Sequence, residues 1–207
     1  LMRFLSWVLL RALYRLLLHG IPKQLPDEGA ALLVCNHVSY LDALILSASV
    51  PRPTRFVMYY KIFNIPVMSW IFRTAKVIPI AGAREDPELM QKAFDEIDAA
   101  LADGQLVGLF PEGALTRDGN IAPFKSGVER VPERANENGR PVPVVPMALK
   151  GMWTSMWSHR DGRMHRMRVP RRFRAHVEVV AGEPIDERSV SAGQLEARVR
   201  ALRGDEA

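Results

Sequence analysis

Short apolar runs and helix-spaced hydrophobic segments follow each other in turn along the chain. The runs have the length of strands and end in polar or turn-forming residues, which predicts strands. The segments between them repeat apolar residues every three or four positions, which predicts helices. The predicted strands cover residues 30–36, 54–60, 76–80, 105–110, 141–149 and 173–182. The predicted helices cover residues 41–49, 63–75 with an interruption at Pro66, 86–104 and 194–202.

This alternation predicts an α/β fold, with a mixed, largely parallel sheet and helices on both faces. The clearest helix has Asp86 as its cap, Pro87 in its first turn and Gly104 after its end. A chain of 207 residues with 48% hydrophobic content is long and apolar enough to fold as one domain, which excludes a disordered chain. In sheets of this kind, ligands lie beyond the carboxyl ends of the strands.

The first eighteen residues, LMRFLSWVLLRALYRLLL, are strongly apolar but carry Arg3, Arg11 and Arg15. Arg11, Arg15 and His19 would line one face of a helix, which fits a helix lying in a membrane interface better than a spanning helix or a cleaved signal. We therefore expect a membrane-associating helix over residues 1–24 and a domain over residues 25–207. A helix packed against that domain is the alternative. The opening leucine is compatible with a piece of a longer polypeptide.

The net charge of +5 favours an anionic partner, which charge alone leaves open between a phospholipid surface, a phosphorylated small molecule and nucleic acid. The one cysteine, Cys35, lies in an apolar run, which indicates a reduced thiol and a location that faces the cytosol. No zinc or iron–sulfur ligand set can be assembled from it, so no metal site is expected.

The strongest candidates for chemistry are His37 and Asp42 in the sequence NHVSYLD. Imidazole has an ordinary pKa near cellular pH and suits a general base. With His37 at a strand end and Asp42 in the next helical turn, the carboxylate would fix the tautomer and stabilise the imidazolium, as the acid does in a Ser-His-Asp triad.

Two alternatives use the same residues. Ser39 and Asp42 also form a capping-box-like pair, with Ser39 as the helix cap and Asp42 at the third helical position. A serine hydrolase would use Ser39, but the chain has no G-x-S-x-G sequence, and a serine two residues from its base has unfavourable geometry.

A second group of polar residues follows the run 105–110 and begins with FPEG at 110–113. Proline ends the strand, glycine lets the backbone approach a ligand, and Glu112 can accept hydrogen bonds from hydroxyl groups. Arg117 and Lys125 flank a predicted turn at Asp118-Gly119 and offer cations for a phosphate. A solvated charged loop is the alternative.

Residues 151–174 carry seven arginines and two histidines between tryptophans and methionines that include Met152, Trp153 and Trp157. This composition fits a second membrane contact, a docking surface for coenzyme A or a carrier protein, or a solvated loop. Nucleic-acid binding would require a recognisable motif as well as charge, and none is present, so we expect no nucleic-acid partner.

The order and spacing of NHVSYLD, FPEG and PVPVVPMAL resemble the glycerolipid acyltransferase family over roughly residues 25–185, most closely bacterial modules that occur alone or in fusion proteins. The resemblance implies acyl transfer from acyl-CoA or acyl carrier protein to the free hydroxyl of a lysophospholipid or glycerol phosphate, without a cofactor. It implies His37 as base, Asp42 as its partner, Glu112 and Gly113 as acceptor-binding residues, and Pro146 as the wall behind them.

The chain departs from the family at two motifs. The family often reads EGTRS where this chain reads EGALT, so Leu115 replaces an arginine and Arg117 remains. In the motif IPIAGARED, Arg84 is the cationic candidate. Losing one phosphate-binding arginine favours a zwitterionic acceptor such as a lysophosphatidylethanolamine-like lipid, while lysophosphatidic acid stays open.

The resemblance and the basic, apolar segments together predict a peripheral enzyme on the cytoplasmic face of the inner membrane. Its expected partners are an anionic membrane surface, a lysophospholipid acceptor and the acyl donor. A lipid esterase or thioesterase that depends on Ser39, and a non-catalytic membrane-binding module, are the alternatives.

Overall fold

A computed structural model of the protein describes residues 10–11, 13–21, 23–153, 174–186 and 190–205, without the side chains of residues 66–68. The strands are β1 (Tyr14–His19), β2 (Ala31–Cys35), β3 (Thr54–Tyr59), β4 (Ile78–Ile80), β5 (Leu106–Leu109), β6 (Val144–Lys150) and β7 (Ala175–Ala181). The helices are α1 (Asp42–Ser49), α2 (Pro66–Thr74), α3 (Pro87–Ala102), α4 (Arg130–Glu137) and α5 (Ala192–Arg203), with short 3-10 turns at Tyr60–Asn64 and Ser126–Val128.

The seven strands form one sheet in the order β1-β7-β6-β2-β5-β3-β4. All neighbouring pairs are parallel except β6 and β7, which are antiparallel. The prediction of a mixed, largely parallel sheet is therefore confirmed. Strand β2 lies between β5 and β6, so the residues that follow it emerge at the middle of the sheet.

Both faces of the sheet are covered, as the continuous apolar runs predict. Leu32 and Val34 of β2 point into a core that also contains side chains of α3, α4 and α5. Leu33 and Cys35 point into a second core on the opposite face, which includes Ile45 of α1. Strand β2 is buried along its whole length, and this fixes the direction in which the chain leaves it.

The four helices predicted after residue 40 are present, with two differences in detail. Helix α3 begins as expected, because Asp86 accepts a hydrogen bond from Leu89 N and Pro87 occupies the first turn. Pro66 does not interrupt α2 but begins it, in the first helical turn where a missing N–H costs least. Helix α4 was not predicted, because it is short and mostly polar and buries little beyond Val131 and Ala135.

The helix predicted over residues 1–24 is wrong for Tyr14–His19, which form strand β1. All six residues pair with β7 in parallel, from Tyr14 opposite Ala175 to His19 opposite Val180. The pairing satisfies backbone groups that the edge of β7 would otherwise expose, and this outweighs the four-residue spacing of the basic side chains. Residues 1–9 lie outside the described residues.

The predicted membrane contact at residues 151–174 falls mostly outside the described residues. At its start, Met152 is almost completely buried in the core. Trp153 lies against Gly119, where an added Cβ would come within 2.7 Å of Trp153 Nε1. Met152 and one side of Trp153 therefore pack against the domain, and the choice between a membrane contact, a docking surface and a solvated loop stays a prediction.

Gly108 of β5 makes room for an aromatic side chain beside the centre of the sheet. It lies opposite Phe56 of β3, and an added Cβ would lie 2.5 Å from Phe56 Cε1. The Phe56 ring in turn stacks on Phe110, with 5.9 Å between their centroids. The absence of a side chain at Gly108 thus sets the position of Phe110, two residues further along.

Replacing Gly108 with alanine should displace the Phe56 ring and lower the free energy of unfolding by about 1–3 kcal/mol, measured by urea denaturation. Gly193→Ala is the matched control, because an added Cβ there meets no heavy atom within 4 Å. We expect that control to leave stability unchanged or raise it, since alanine favours a helix. Equal losses in both variants would contradict the packing role of Gly108.

Candidate active site

Two turns meet at the carboxyl ends of neighbouring strands β2 and β5. Residues 36–42 follow β2, and residues 110–113 follow β5. Because β2 and β5 are parallel, with Val34 opposite Leu109, both turns emerge at the same edge of the sheet. The sheet thereby brings together two motifs that are about seventy residues apart in sequence, as the sequence predicted.

His37 and Asp42 are joined by a hydrogen bond of 2.9 Å between Nδ1 and Oδ2. The carboxylate makes Nδ1 the protonated nitrogen, so the lone pair of Nε2 is left to accept a proton. Asp42 has no exposed side-chain area, whereas the His37 side chain is 24% exposed. The pair therefore combines a buried carboxylate with an imidazole that a ligand can reach.

The same carboxylate oxygen also holds the turn. Asp42 Oδ2 accepts hydrogen bonds from Val38 N at 2.6 Å and Ser39 N at 2.8 Å. The bond from Ser39 N is one half of the predicted capping box, but α1 begins at Asp42, with Leu41 as its cap residue. Asp42 is thus the first helical residue and not the third, and its negative charge lies at the positive end of the helix.

The other nucleophile candidates in this region are buried. Ser39 has no exposed area, and its Oγ accepts a hydrogen bond from Leu41 N. Cys35 is also completely buried, and burial raises the pKa of its thiol well above the ordinary value. Neither side chain can contact a substrate in this arrangement, which disfavours a hydrolase that uses Ser39.

Glu112 connects the two turns and the loop that follows. Its Oε1 accepts a hydrogen bond from His37 N at 2.6 Å, and its Oε2 accepts one from Ala122 N at 2.8 Å. Burial raises the pKa of this carboxyl above its ordinary value, while the bonds from Ala122 N and His37 N oppose that rise. With both oxygens engaged by backbone groups, Glu112 holds the backbone around His37 in place.

Phe110 supports the imidazole from one side. The rings of His37 and Phe110 are stacked, with centroids 4.3 Å apart and planes 19° apart. Phe110 also contacts Phe56, which fits into the space above Gly108. The ring plane of His37 is therefore fixed both by stacking and by the hydrogen bond to Asp42.

Asn36 is a supporting residue that the sequence analysis did not single out. It is fully buried, and its side chain pairs with the backbone of Leu149 in β6. Asn36 Nδ2 donates to Leu149 O at 3.1 Å, and Leu149 N donates to Asn36 Oδ1 at 2.8 Å. The amide thus continues the β2–β6 pairing one residue beyond the strand and fixes the residue before His37. In the sequence, the polar amide of Asn36 directly after the apolar run ALLVC could have indicated this supporting role.

The loop over residues 114–125 is held by α5, so the alternative of a solvated loop does not apply to its backbone. Three side chains of α5 contact its main chain, and they are distant in sequence. Glu196 accepts from Phe124 N at 3.0 Å, Arg200 donates to Ile121 O at 2.5 Å, and Arg203 donates to Gly119 O at 2.9 Å.

The same loop contains the predicted turn at Asp118-Gly119. Asp118 Oδ1 accepts a hydrogen bond from Asn120 N at 2.9 Å, and Gly119 has a φ of +92°. Hydrogen bonds from the Asn120 backbone and side chain and from Thr116 hold the pKa of Asp118 below its ordinary value. Thr116 N also donates to His37 O at 3.0 Å, which ties the loop to the turn that contains His37.

The three cations predicted to bind phosphate lie in different places relative to the FPEG turn. Lys125 lies over Gly113, where its ammonium occupies the space that a Cβ would take. Gly113 has a φ of +70°, so both its conformation and this contact favour glycine. Arg117 is exposed and adjoins Thr116, whereas Arg84 is exposed after β4, two strands away from β5.

Pro146 lies in the middle of β6, opposite Val34 and buried. Its carbonyl accepts a hydrogen bond from Gly182 N at 2.9 Å. The described contacts place it against β2 and Gly182, and they include none with Glu112 or Gly113. Its predicted part as the wall of the acceptor site stays a prediction.

Within the described ranges, no three His, Cys, Asp or Glu side chains come together as a metal site would require. The helices in these ranges are also too short or too polar to cross a bilayer.

The chain is similar to proteins whose names describe acyl transfer. A family model described as Acyltransferase matches residues 18–150. The chain is 29% identical over 149 residues to the chloroplastic 1-acyl-sn-glycerol-3-phosphate acyltransferase BAT2 of Brassica napus. The aligned residues cover 72% of this chain and 41% of the Brassica protein. It is 28% identical over 171 residues to an N-acylphosphatidylethanolamine synthase of Arabidopsis thaliana, and these residues cover 78% of this chain and 57% of that protein. The chain thus spans about two fifths of the Brassica protein.

A solved structure shares the fold. The crystal structure of the 1-acyl-sn-glycerophosphate acyltransferase PlsC from Thermotoga maritima matches with a TM-score of 0.73. The match covers 97% of this chain and 76% of that protein, at 20% sequence identity. The seven-stranded sheet and its flanking helices are therefore the architecture of that structure.

Asn36→Ala should lower the free energy of unfolding by about 2–4 kcal/mol, because it leaves the N–H and C=O of Leu149 unpaired in the interior. Ser49→Ala is the control, since Ser49 is also buried and, among the described residues, its hydroxyl bonds to Ile45 O one turn back in α1. We expect that control to cost less than about 1 kcal/mol. Urea denaturation of both variants makes the comparison, and similar losses would speak against the part assigned to Asn36.

Proposed function

The chain belongs to the acyltransferase family, and we propose that it transfers a fatty acyl group from a thioester donor to the free hydroxyl of a lysophospholipid. The observation that carries the proposal is the hydrogen bond between His37 Nδ1 and the buried Asp42 carboxylate, with the imidazole open to a ligand. This geometry supports a general base that acts on a hydroxyl group.

In the proposed reaction, His37 Nε2 removes the acceptor hydroxyl proton as that oxygen attacks the carbonyl carbon of the thioester. Asp42 stabilises the imidazolium that forms. The tetrahedral intermediate then expels the thiolate, and the proton on His37 passes to the sulfur. An ester and a free thiol result, no acyl-enzyme forms, and the histidine returns to its starting state.

We propose that the acceptor headgroup binds beside Gly113, where a cation is available. Lys125 is the cation whose ammonium lies against the FPEG turn, which supports it as the ligand of the acceptor phosphate in place of the arginine that Leu115 replaces. One strong cation fits either lysophosphatidic acid or a zwitterionic lysophospholipid. The names of the relatives include both 1-acyl-sn-glycerol-3-phosphate acyltransferases and an N-acylphosphatidylethanolamine synthase, and they do not decide between these acceptors.

We propose acyl-CoA or acyl carrier protein as the donor and a peripheral location on the cytoplasmic face of the inner membrane. The net charge of +5 supports contact with an anionic bilayer. A lipid acceptor also requires the enzyme to work at a membrane surface. The buried Cys35 thiol fits a reducing compartment.

His37→Ala should lower the rate of acyl transfer by about a hundredfold or more, because the base is removed while the binding surfaces remain. The fold should persist, since Val38 N and Ser39 N still donate to Asp42. The assay follows product formation from acyl-CoA and acyl carrier protein with a panel of lysophospholipids. It also measures free fatty acid, which a thioesterase or esterase would release.

His176→Ala is the matched control for this assay. His176 is an exposed histidine of β7 and lies outside the site, so its replacement should leave transfer unchanged. Undiminished transfer in His37→Ala would contradict the mechanism. Turnover of neither donor by the unaltered protein would favour a non-catalytic membrane-binding module.

Lys125→Met should raise the KM for a phosphate-bearing acceptor about tenfold or more with a smaller effect on kcat, because a charge-assisted hydrogen bond to the acceptor is lost. Arg84→Met is the comparison, and we expect less than a twofold change because Arg84 lies two strands away from β5. Steady-state kinetics with lysophosphatidic acid tests the pair. An equal rise in both variants, or none in Lys125→Met, would remove Lys125 from the headgroup site.

A further inference from the structure

The segment that connects β3 to β4 exposes a large amount of apolar surface. Within residues 60–76, none of the described side chains is buried. Trp70 is 66% exposed and Ile65 is 45% exposed. Phe63 and Phe72 contact each other, with ring centroids 5.3 Å apart, and both remain partly exposed. Side chains of this size normally lie in a core, and a group of them at a surface indicates a binding site.

The surroundings of this apolar segment are positively charged. From residue 43 to residue 84 the sequence contains six lysines and arginines and no aspartate or glutamate, although Arg55 forms an ion pair with Glu96 of α3. Arg73 and Lys76 are exposed, and neither forms an ion pair within the described residues. Lys61 is the exception in the segment, because its ammonium lies 2.6 Å from Glu85 Oε1. The segment therefore complements a surface that is both apolar and anionic.

The apolar segment adjoins the edge of the sheet that carries the active site. It begins at the carboxyl end of β3, where Tyr59 is 41% exposed. Tyr40, in the turn that contains His37, is 40% exposed at the carboxyl end of β2. Strands β2, β5 and β3 are neighbours and parallel, so both tyrosines lie at the same edge. A surface bound by the segment would thus also face the opening to His37.

We propose that residues 60–76 are a docking surface for an anionic lipid bilayer. Trp70 and Ile65 enter the interfacial layer, and Arg73 and Lys76 contact lipid phosphates. Helix α2 has nine residues, which suits a helix that lies in the interface and not one that spans the membrane. The inference rests on the proposed function in one respect, because a lipid acceptor gives the bilayer its role as the source of substrate.

A bilayer fits this surface better than a protein partner. Among the described large apolar side chains the most exposed is Trp70, and tryptophan is enriched at membrane interfaces. Arg73 and Lys76 follow it in sequence and form no ion pair with another described residue. An acidic carrier protein would be recognised chiefly through charge, whereas here the large side chains Ile65 and Trp70 are exposed beside the cations. A second copy of this chain would bring the same positive charges together, which is unfavourable.

The test measures binding of the full chain to vesicles by flotation. The double variant Ile65→Ser with Trp70→Ser should lower partitioning onto vesicles of phosphatidylglycerol and phosphatidylcholine by about tenfold, because exposed apolar area is lost from the interface. The matched control is Leu18→Ser, which alters an apolar side chain of 43% exposure in β1. Strand β1 is the outermost strand on the side of the sheet away from β3 and β4. That control should bind as the unaltered protein does.

Unchanged binding of the double variant, or an equal loss in Leu18→Ser, would overturn the assignment of this surface. A variant that keeps vesicle binding but loses its complex with acyl carrier protein, or its self-association, would assign the surface to that protein partner instead and would also overturn it. Thermal unfolding of each variant confirms that the fold is retained. Flotation measures no turnover, so it is informative even if acyl transfer fails.

The kinetic arm separates the surface from the catalytic site. With a short-chain lysophospholipid dissolved as monomers, the double variant should transfer acyl groups at the unaltered rate. With the acceptor embedded in anionic vesicles, its rate should fall by about the same factor as its binding. Loss of activity with the monomeric acceptor would contradict the inference, because it would place Ile65 and Trp70 in the acceptor site itself.

Discussion

The site depends on a single buried carboxylate oxygen. Asp42 Oδ2 accepts hydrogen bonds from the imidazole of His37 and from the backbone N–H groups of Val38 and Ser39. A buried carboxylate is costly unless it is hydrogen-bonded, so these three donors and the oxygen stabilise one another. The turn cannot change shape without breaking bonds to the carboxylate that orients the imidazole of His37. Folding of the turn and preparation of the imidazole are therefore the same event.

The sheet extends this constraint to the rest of the site. Asn36 binds the backbone of β6 on one side of the turn, and Glu112 binds His37 N from the end of β5 on the other. Phe110 stacks on the imidazole and is itself positioned through Phe56 and the space at Gly108. Helix α5 holds the loop that contains Thr116, which donates to His37 O. The turn after β2, the end of β5 and the loop with Thr116 thus all contact one histidine.

The sequence predicted the parts of this arrangement that depend on local pattern. Continuous apolar runs revealed the central strands, and polar residues at strand ends located His37, Asp42 and Glu112. Pairings between distant segments could not be predicted in this way. Tyr14–His19 have the spacing of an amphipathic helix, but the open edge of β7 makes them a strand. The contacts from Arg200 and Arg203 join residues about eighty positions apart, and no local signal marks them.

The same limit applies to surfaces. The apolar spacing of residues 63–75 predicted a helix, and a helix with that spacing would ordinarily be assigned to a core. Whether an apolar face is covered depends on the neighbours that the sheet order provides, and α2 follows β3 near an edge of the sheet. The exposure of Trp70 therefore emerged only from the three-dimensional arrangement.

We propose that Asp42 contributes to acyl transfer only through His37, and a double-mutant cycle measures whether the two effects are coupled. Transfer rates are measured for His37→Ala, Asp42→Asn and the double variant, with acyl-CoA and a lysophospholipid. Because the two residues act as one unit, the double variant should be no slower than His37→Ala alone. A double variant that is slower by the product of the two single effects would contradict this account.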